Sequence, residues 1–285
     1  MKKIFNIQNT LPTTADKETV MNTKLKCKDI ASVIERLAPT QLAYEWDNVG
    51  LLCGDYEQEV SKVLLTLDLD IGVVEEAVRE GAQMIVAHHP IMFEPLNKIT
   101  AQTPEGKLLR ALIQNNISYY AAHTNLDVAK GGLNDLLAKK VGLKNVKILE
   151  YTDDNGEGIG RIGDIDSPIT LGALAQRIKR ALGVEYIRYS GDAEASVSRI
   201  AVNTGGGTAL IGAALDANAD VFVTGDYKYS QVRHCVENGM KIIDVGHYDT
   251  EIIVCELFKD YLSKQFADAL ELVVTKTNKN VMKFM

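Results

Sequence analysis

Three short apolar runs in this chain end at a histidine, and that placement narrows what the chain can fold into. Gln83 to Ala87 leads into His88-His89-Pro90, Ile117 to Ala122 into His123, and Lys241 to Val245 into Gly246-His247. Each run has strand length and follows a segment of helical periodicity, so each reads as a strand fed by a helix. Lys62 to Asp68 is a further strand; Asp70 can cap the next helix, which carries Val73, Val74, Ala77 and Val78 and stops at Gly81. Strands at Arg199 to Asn203 and Asp220 to Thr224 alternate with helices at Ala209 to Ala217 and Tyr229 to Asn238. Asp29 can cap a first helix with Ile30, Val33, Ile34 and Leu37 on one face, and Thr170 a later one closed by Gly183. Alternation at these lengths predicts an α/β fold with mostly parallel sheets flanked by helices.

The two halves look like copies. Glu76 to Ala87 aligns without a gap on Ala213 to Thr224, and Leu112 to Tyr120 on Cys235 to Ile243, with small, apolar and turn positions matching. Each copy then ends in a histidine followed four residues later by an acid: His123 and Asp127, His247 and Glu251. The repeat predicts two related α/β lobes with a crevice between them; two ordinary helix–strand units alike by chance are the alternative. On this reading residues 27–150 form the first lobe and 151–285 the second, whose C-terminal helix and strand can pack back on the first. Residues 1–26 are polar and lack an apolar core, so they read as a poorly ordered extension rather than a secretory signal.

Composition excludes several classes of function. A net charge of −7 argues against bulk electrostatic binding to nucleic acid or an acidic membrane. No stretch of apolar residues is long enough to span a bilayer. The four cysteines, Cys27, Cys53, Cys235 and Cys255, form no Cys-x-x-Cys pair, and isolated thiols of this kind fit a reducing cytoplasm.

The histidine clusters carry the chemistry. Imidazole and carboxylate in this mixture suit zinc, manganese, iron or cobalt better than calcium or magnesium. Five or six such groups exceed what one tetrahedral ion needs, which favours two metals sharing a carboxylate. His88 and His89 point to opposite faces of a strand, but at its end, with Pro90 breaking the run, both can turn into a crevice. Glu251 reads as the start of a helix whose apolar stripe is Val254, Cys255, Phe258 and Leu262, and it falls within that stripe. A carboxylate directed at a core needs a cation or several donors. For Asp127, a helix-capping role competes with a ligand role. His123 is open between ligand, supporting partner and acid/base, and His234, in mid-helix, reads as structural.

Asn203-Thr204-Gly205-Gly206-Gly207 could present amides to phosphate or form a tight turn, and lacks the Gly-Lys-Ser/Thr of a P-loop. The segment Glu45-Trp46-Asp47-Asn48 holds the only tryptophan, which either lines the crevice or anchors a loop.

Taken together, the segments EWDNVGLLCGD, VAHHPIMF, AAHTNLDVAKGGLNDLLA, VNTGGG, TGD and GHYDTE resemble the Nif-three-like family, whose members are labelled GTP cyclohydrolase I type 2 homologs. The likeness runs from about Asp29 to the C-terminus. It implies two α/β lobes, a dinuclear metal centre between them and a ring-shaped homohexamer. Carried over by motif, the ligands would be His88, His89, Asp127, His247 and Glu251, with Glu251 bridging two divalent transition-metal ions (zinc, manganese or iron). His123 lies in the same motif and is expected to be catalytic rather than a ligand. Where many members have a histidine pair after Thr-Gly-Asp, this chain has Tyr229-Ser230, and about Asp153 to Asp166 leaves no room for the domain many members insert there. The expected function is hydrolysis of a nucleotide or similar phosphorylated small molecule by metal-activated water in the cytoplasm. Metal binding or delivery without turnover, or a scaffold role, is the alternative.

Overall fold

The computed structural model describes residues 24–152 and 156–283. The expectation of a disordered extension therefore falls, for residues 1–23, outside the described residues, as do 153–155 of the short central connection.

The first half contains α1 (Cys27–Leu37), β1 (Gly50–Cys53), β2 (Lys62–Thr66), α2 (Ile71–Glu80), β3 (Met84–Ala87), α3 (Pro104–Gln114), β4 (Ser118–Ala121), α4 (Thr124–Val128) and α5 (Leu133–Val141). The second contains β5 (Lys144–Tyr151), β6 (Gly158–Thr170), α6 (Leu171–Leu182), β7 (Arg188–Ser190), β8 (Ser196–Val202), α7 (Ile211–Asp216), β9 (Val221–Thr224), α8 (Tyr229–Glu237) and β10 (Lys241–Asp244). The chain closes with α9 (His247–Glu251), α10 (Val254–Phe266) and β11 (Glu271–Val274).

The strands form two sheets, ordered β1-β4-β3-β2-β11 and β5-β6-β8-β9-β10-β7. Strands β4, β3, β2 and β11 run parallel, with β1 antiparallel at the edge. In the second sheet the parallel part is β8-β9-β10, and antiparallel strands β5, β6 and β7 extend it on both sides. The two aligned segments occupy equivalent places: β2-α2-β3-α3-β4 in one sheet and β8-α7-β9-α8-β10 in the other. The last strand, β11, leaves the second half of the chain to pair with β2.

Alternate side chains explain the layering. Val63 and Leu65, Met84 and Val86, Ile200 and Val202, and Val221 and Val223 face one shared core with α1, α5, α6 and α10. Leu64, Ile85 and Tyr119 face a second cluster with Val73, Val74, Ala77 and Leu112 of α2 and α3. Ala201, Phe222 and Ile242 face a third with Ala214 and Cys235 of α7 and α8. Strands buried on both faces read as unbroken apolar runs, which is why the sequence shows no polar alternation there. Each fully buried Val, Leu or Ile contributes about 1.5–3 kcal/mol.

Asp70 and Thr170 cap α2 and α6 as expected, accepting from the N–H groups of Val73 at 2.8 Å and Ala173 at 3.2 Å. Asp29 does not cap α1. The helix starts two residues earlier, and Asp29 reaches back from its third position to the Lys26 N–H at 2.8 Å. Glu251 closes the one-turn helix α9 rather than opening a helix, and α10 follows through Ile252 and Ile253, both in the helical region. The four apolar positions read after it are all buried in α10. No helix among the described residues is long and apolar enough to cross a membrane.

Candidate metal centre

The carboxyl ends of the parallel strands of both sheets converge on one crevice, the usual place for a ligand in such sheets. His88 and His89 follow β3, α4 with Asp127 follows β4, Gly205 follows β8, and α9 with His247 and Glu251 follows β10. The four-residue spacing puts His247 and Glu251 on one face of a helical turn. All five residues expected as ligands, and His123 with them, are brought together here. His234 lies away from the crevice, exposed on α8.

Every imidazole in the crevice has its Nδ1 tied back. His88 donates to the carbonyl of Ala122 at 2.8 Å. His89 pairs with Asp68 at 2.6 Å, His123 with Asp47 at 2.9 Å and His247 with Asp226 at 2.8 Å. A fixed Nδ1 leaves Nε2 to face the centre, the arrangement in which an outer carboxylate orients a metal-binding histidine. Sequence reasoning did not single out Asp47, Asp68 or Asp226 for this role. The available signal was position: Asp68 and Asp226 both sit just past the end of a strand.

The His88 environment is the most telling. A carbonyl can only accept, so the His88 proton is on Nδ1 and Nε2 carries a bare lone pair. Burial pushes the imidazole down to about 3, so it stays neutral. That Nε2 is buried without a hydrogen-bond partner, 3.8 Å from Asp127 Oδ1 and 3.9 Å from Glu251 Oε1. Three acceptors thus face one another. Glu251 Oε2 lies 3.1 Å from Nε2 of both His89 and His247. The donor set fits transition-metal ions, and two overlapping groups have ligand atoms close enough to hold one: His88, His89 and His123, and His89, His247 and Glu251.

The loop between β8 and α7 packs against Glu251 and His247 through Gly205. The Gly205 N–H donates to Thr250 Oγ1 at 2.8 Å and the Gly207 N–H to Thr224 Oγ1 at 2.9 Å. With these amides engaged internally, the loop works as a tight packing turn rather than a phosphate cradle. Its threonine, Thr204, donates to Asp127 Oδ1 at 3.2 Å. Asn134 couples the same loop to α4, accepting from the Thr204 N–H at 3.0 Å and donating to the Asp127 carbonyl at 3.1 Å.

Charge in the crevice is held out of its ordinary range. Burial, then the Glu251 carboxylate, pushes Asp127 up to about 7. Burial alone would raise Glu251, but His247 and His89 outweigh it and hold the carboxyl well below its usual range. Burial lowers His89, but the Asp68 and Glu251 carboxylates prevail and lift it to about 10. Glu251 is the main cause raising His247, against burial and with help from Asp226, to about 9. Without metal, both imidazoles therefore carry protons at neutral pH that an incoming ion must displace. Metal loading at pH 7 should release protons, and affinity should rise as pH rises toward about 9. Calorimetry in buffers of different ionisation enthalpy checks this; loading with no proton release would contradict it.

A cavity of about 610 Å³, bordered by His89, His247, Asp68, Asp226, Arg188 and Lys279, opens beside the centre.

A profile of the Duf34/NIF3 (NGG1p interacting factor 3) family matches residues 25–281. A Clostridium perfringens protein named GTP cyclohydrolase 1 type 2 homolog is 36% identical over 262 residues, 92% of this chain and 100% of that protein. Among solved structures, a Staphylococcus aureus hypothetical protein superposes with a TM-score of 0.84 at 30% identity, covering 92% of this chain and 100% of that one. A Bacillus cereus protein related to NIF3 superposes equally well, TM-score 0.84 at 26% identity, covering 93% and 100%.

Proposed function

The chain belongs to the Duf34/NIF3 family, and from that membership and the geometry of the crevice we propose that it is a dinuclear-metal-dependent hydrolase acting on a nucleotide or similar small phosphorylated substrate. The observation that carries this reading is His88 Nε2, buried without a hydrogen-bond partner and facing Asp127 Oδ1 and Glu251 Oε1. A bare lone pair and two carboxylate oxygens that face one another out of water call for a cation between them.

His88, His89, Asp127, His247 and Glu251 would hold the ions between them. The two oxygens of Glu251 face different imidazoles, which suits a bridging carboxylate. Two such ions would make water a competent nucleophile near neutral pH and polarise the bond under attack. The chain's own residues supply the rest. Asp47 fixes the His123 ring, and its carboxyl stays ionised: burial would raise it, but His123 and Thr124 hold it down at about 2. His123 Nε2 then faces the crevice, placed to take a proton from the attacking water and return it to the leaving group. The neighbouring cavity has the size of a small-molecule site.

The test is turnover. Protein loaded with zinc, manganese or iron, incubated with GTP and other nucleoside triphosphates, should give a hydrolysed product by mass spectrometry. The same protein stripped of metal should not. Stable metal binding with no turnover of any nucleotide would favour a metal-binding or delivery role instead. From the family resemblance alone we further propose that the protein works in the cytoplasm as a ring of six copies; light scattering at micromolar concentration should give a hexamer, and a stable monomer would refute that assembly.

A further inference from the structure

Beside His123 lies a group of rings that the metal chemistry leaves unused. Trp46 is 59% exposed and Phe93 47%. Their ring centres are 5.9 Å apart, and Tyr44 flanks Trp46 at 5.9 Å. Both border the His123 ring, Trp46 at 6.0 Å and Phe93 at 5.8 Å. A large apolar side chain left in water next to a reactive centre calls for an occupant.

The loop that carries Trp46 is held on both sides. The Tyr44 N–H donates to Thr124 Oγ1 at 3.1 Å, and the Asp47 N–H to the Tyr44 carbonyl at 2.9 Å. Asp47 is fixed by His123 and by the Thr124 N–H at 3.0 Å. The Asn48 side-chain amide donates to the Met92 carbonyl at 2.9 Å, tying this loop to the one that carries Phe93. The hydrogen bonds that orient His123 thus also keep the indole facing outward. A rigid ring set out in this way loses little entropy when it meets a ligand.

Size and charge select the occupant. Trp46 and Phe93 stand at 48° to each other, so a planar ring stacked on the indole meets the phenyl as a side wall, and two side chains fall far short of the roughly 800 Å² that each partner gives to a stable protein interface. Glu45 and Glu94, both exposed, adjoin the two rings in the chain and disfavour phosphate on this face. We propose that Trp46 and Phe93 form a stacking platform for the planar heteroaromatic ring of the substrate, a purine in the nucleotide case. The inference deepens the nucleotide-hydrolase reading and rests on it for the identity of the ligand.

Trp46 is the only tryptophan, so its fluorescence reports on the platform directly. Titration with guanosine monophosphate should quench it saturably, with or without metal, whereas ribose 5-phosphate should leave it unchanged. Calorimetry should find guanosine monophosphate bound about fivefold to a hundredfold more weakly by Trp46→Ala and by Phe93→Ala, the loss typical of a base-stacking aromatic. Trp46→Phe should recover part of that loss, while metal content and oligomeric state stay as in the parent. The proposal is overturned if guanosine monophosphate causes no quenching, or if Trp46→Ala binds it unchanged. It is equally overturned if Trp46→Ala alters the oligomeric state, since the patch would then be an interface between copies. Quenching without nucleotide turnover would defeat the hydrolase reading alone; turnover without quenching would defeat the platform alone.

Discussion

Glu251→Gln should cost the protein most of its bound metal, whereas His123→Ala should keep most of it. Glu251 offers one oxygen toward His88 at 3.9 Å and the other toward His89 and His247 at 3.1 Å, so a neutral amide there weakens both proposed ion sites together. The metal-free protein should lose stability as well, because two imidazoles raised by this carboxylate would lose their shared partner. Breaking a buried pair costs about 3–5 kcal/mol; the low end applies, since the His247 side chain is 41% exposed and water screens its share. His123→Ala should lower activity about 10²–10⁴-fold, the contribution typical of a positioned group that transfers a proton. Its neighbours make the contrast informative, because His123 also lies within ligand range of His88 and His89. Elemental analysis of both variants decides. If Glu251→Gln kept both metals and His123→Ala lost them, the roles would be reversed.

Gly205→Ala is expected to be nearly as damaging, although it removes no ligand. A Cβ at this position would lie 2.0 Å from Glu251 Oε1 and 3.1 Å from His247 Nε2. The backbone there has φ +63°, a left-handed conformation that costs a side-chain-bearing residue about 1–3 kcal/mol. Glu251 would have to leave its place, and metal content should fall with it. Gly183→Ala separates the two effects. Gly183 has φ +70° with nothing within 4 Å of an added Cβ, so that variant should show the backbone cost alone and retain its metal. Equal metal loss in both, or in neither, would remove the steric explanation.

Much of this architecture was legible because strands buried on both faces leave unbroken apolar runs, and helices of ten or so residues keep a visible period. Strands β2, β3, β4, β9 and β10 are of that kind. Strands β1, β5, β6 and β7 carry no such signature; in β5 the exposed residues follow no burial rule, and Lys144, Asn145, Val146 and Lys147 are all exposed. Asp29 reads as a cap in the sequence because an acid that reaches back from the third helical position looks the same there as one at the cap. The burial of Glu251 is legible from the stripe that follows it, but its own helix is not, since one turn of α9 is too short for a periodicity argument.

The crevice was readable in its inner ring and silent in its outer one. Histidines at strand ends are conspicuous, and the four-residue spacing ties each to an acid. The carboxylates Asp47, Asp68 and Asp226 act from loops far away in sequence, reaching His123, His89 and His247 across 76, 21 and 21 residues. No local pattern encodes such pairs. The glycines of the loop after β8 resembled a phosphate-binding turn because both uses require small residues. Only the partners of their N–H groups, Thr250 and Thr224, separate the two.

The central claim is that the crevice holds two metals, and the most direct measurement is metal content per chain. Protein purified without added metal, then supplied in turn with zinc, manganese and iron and freed of excess, should bind close to two ions per chain by elemental analysis. A reproducible value at or below one, with every metal supplied, would contradict the dinuclear account and leave Glu251 as a buried acid held only by its histidines.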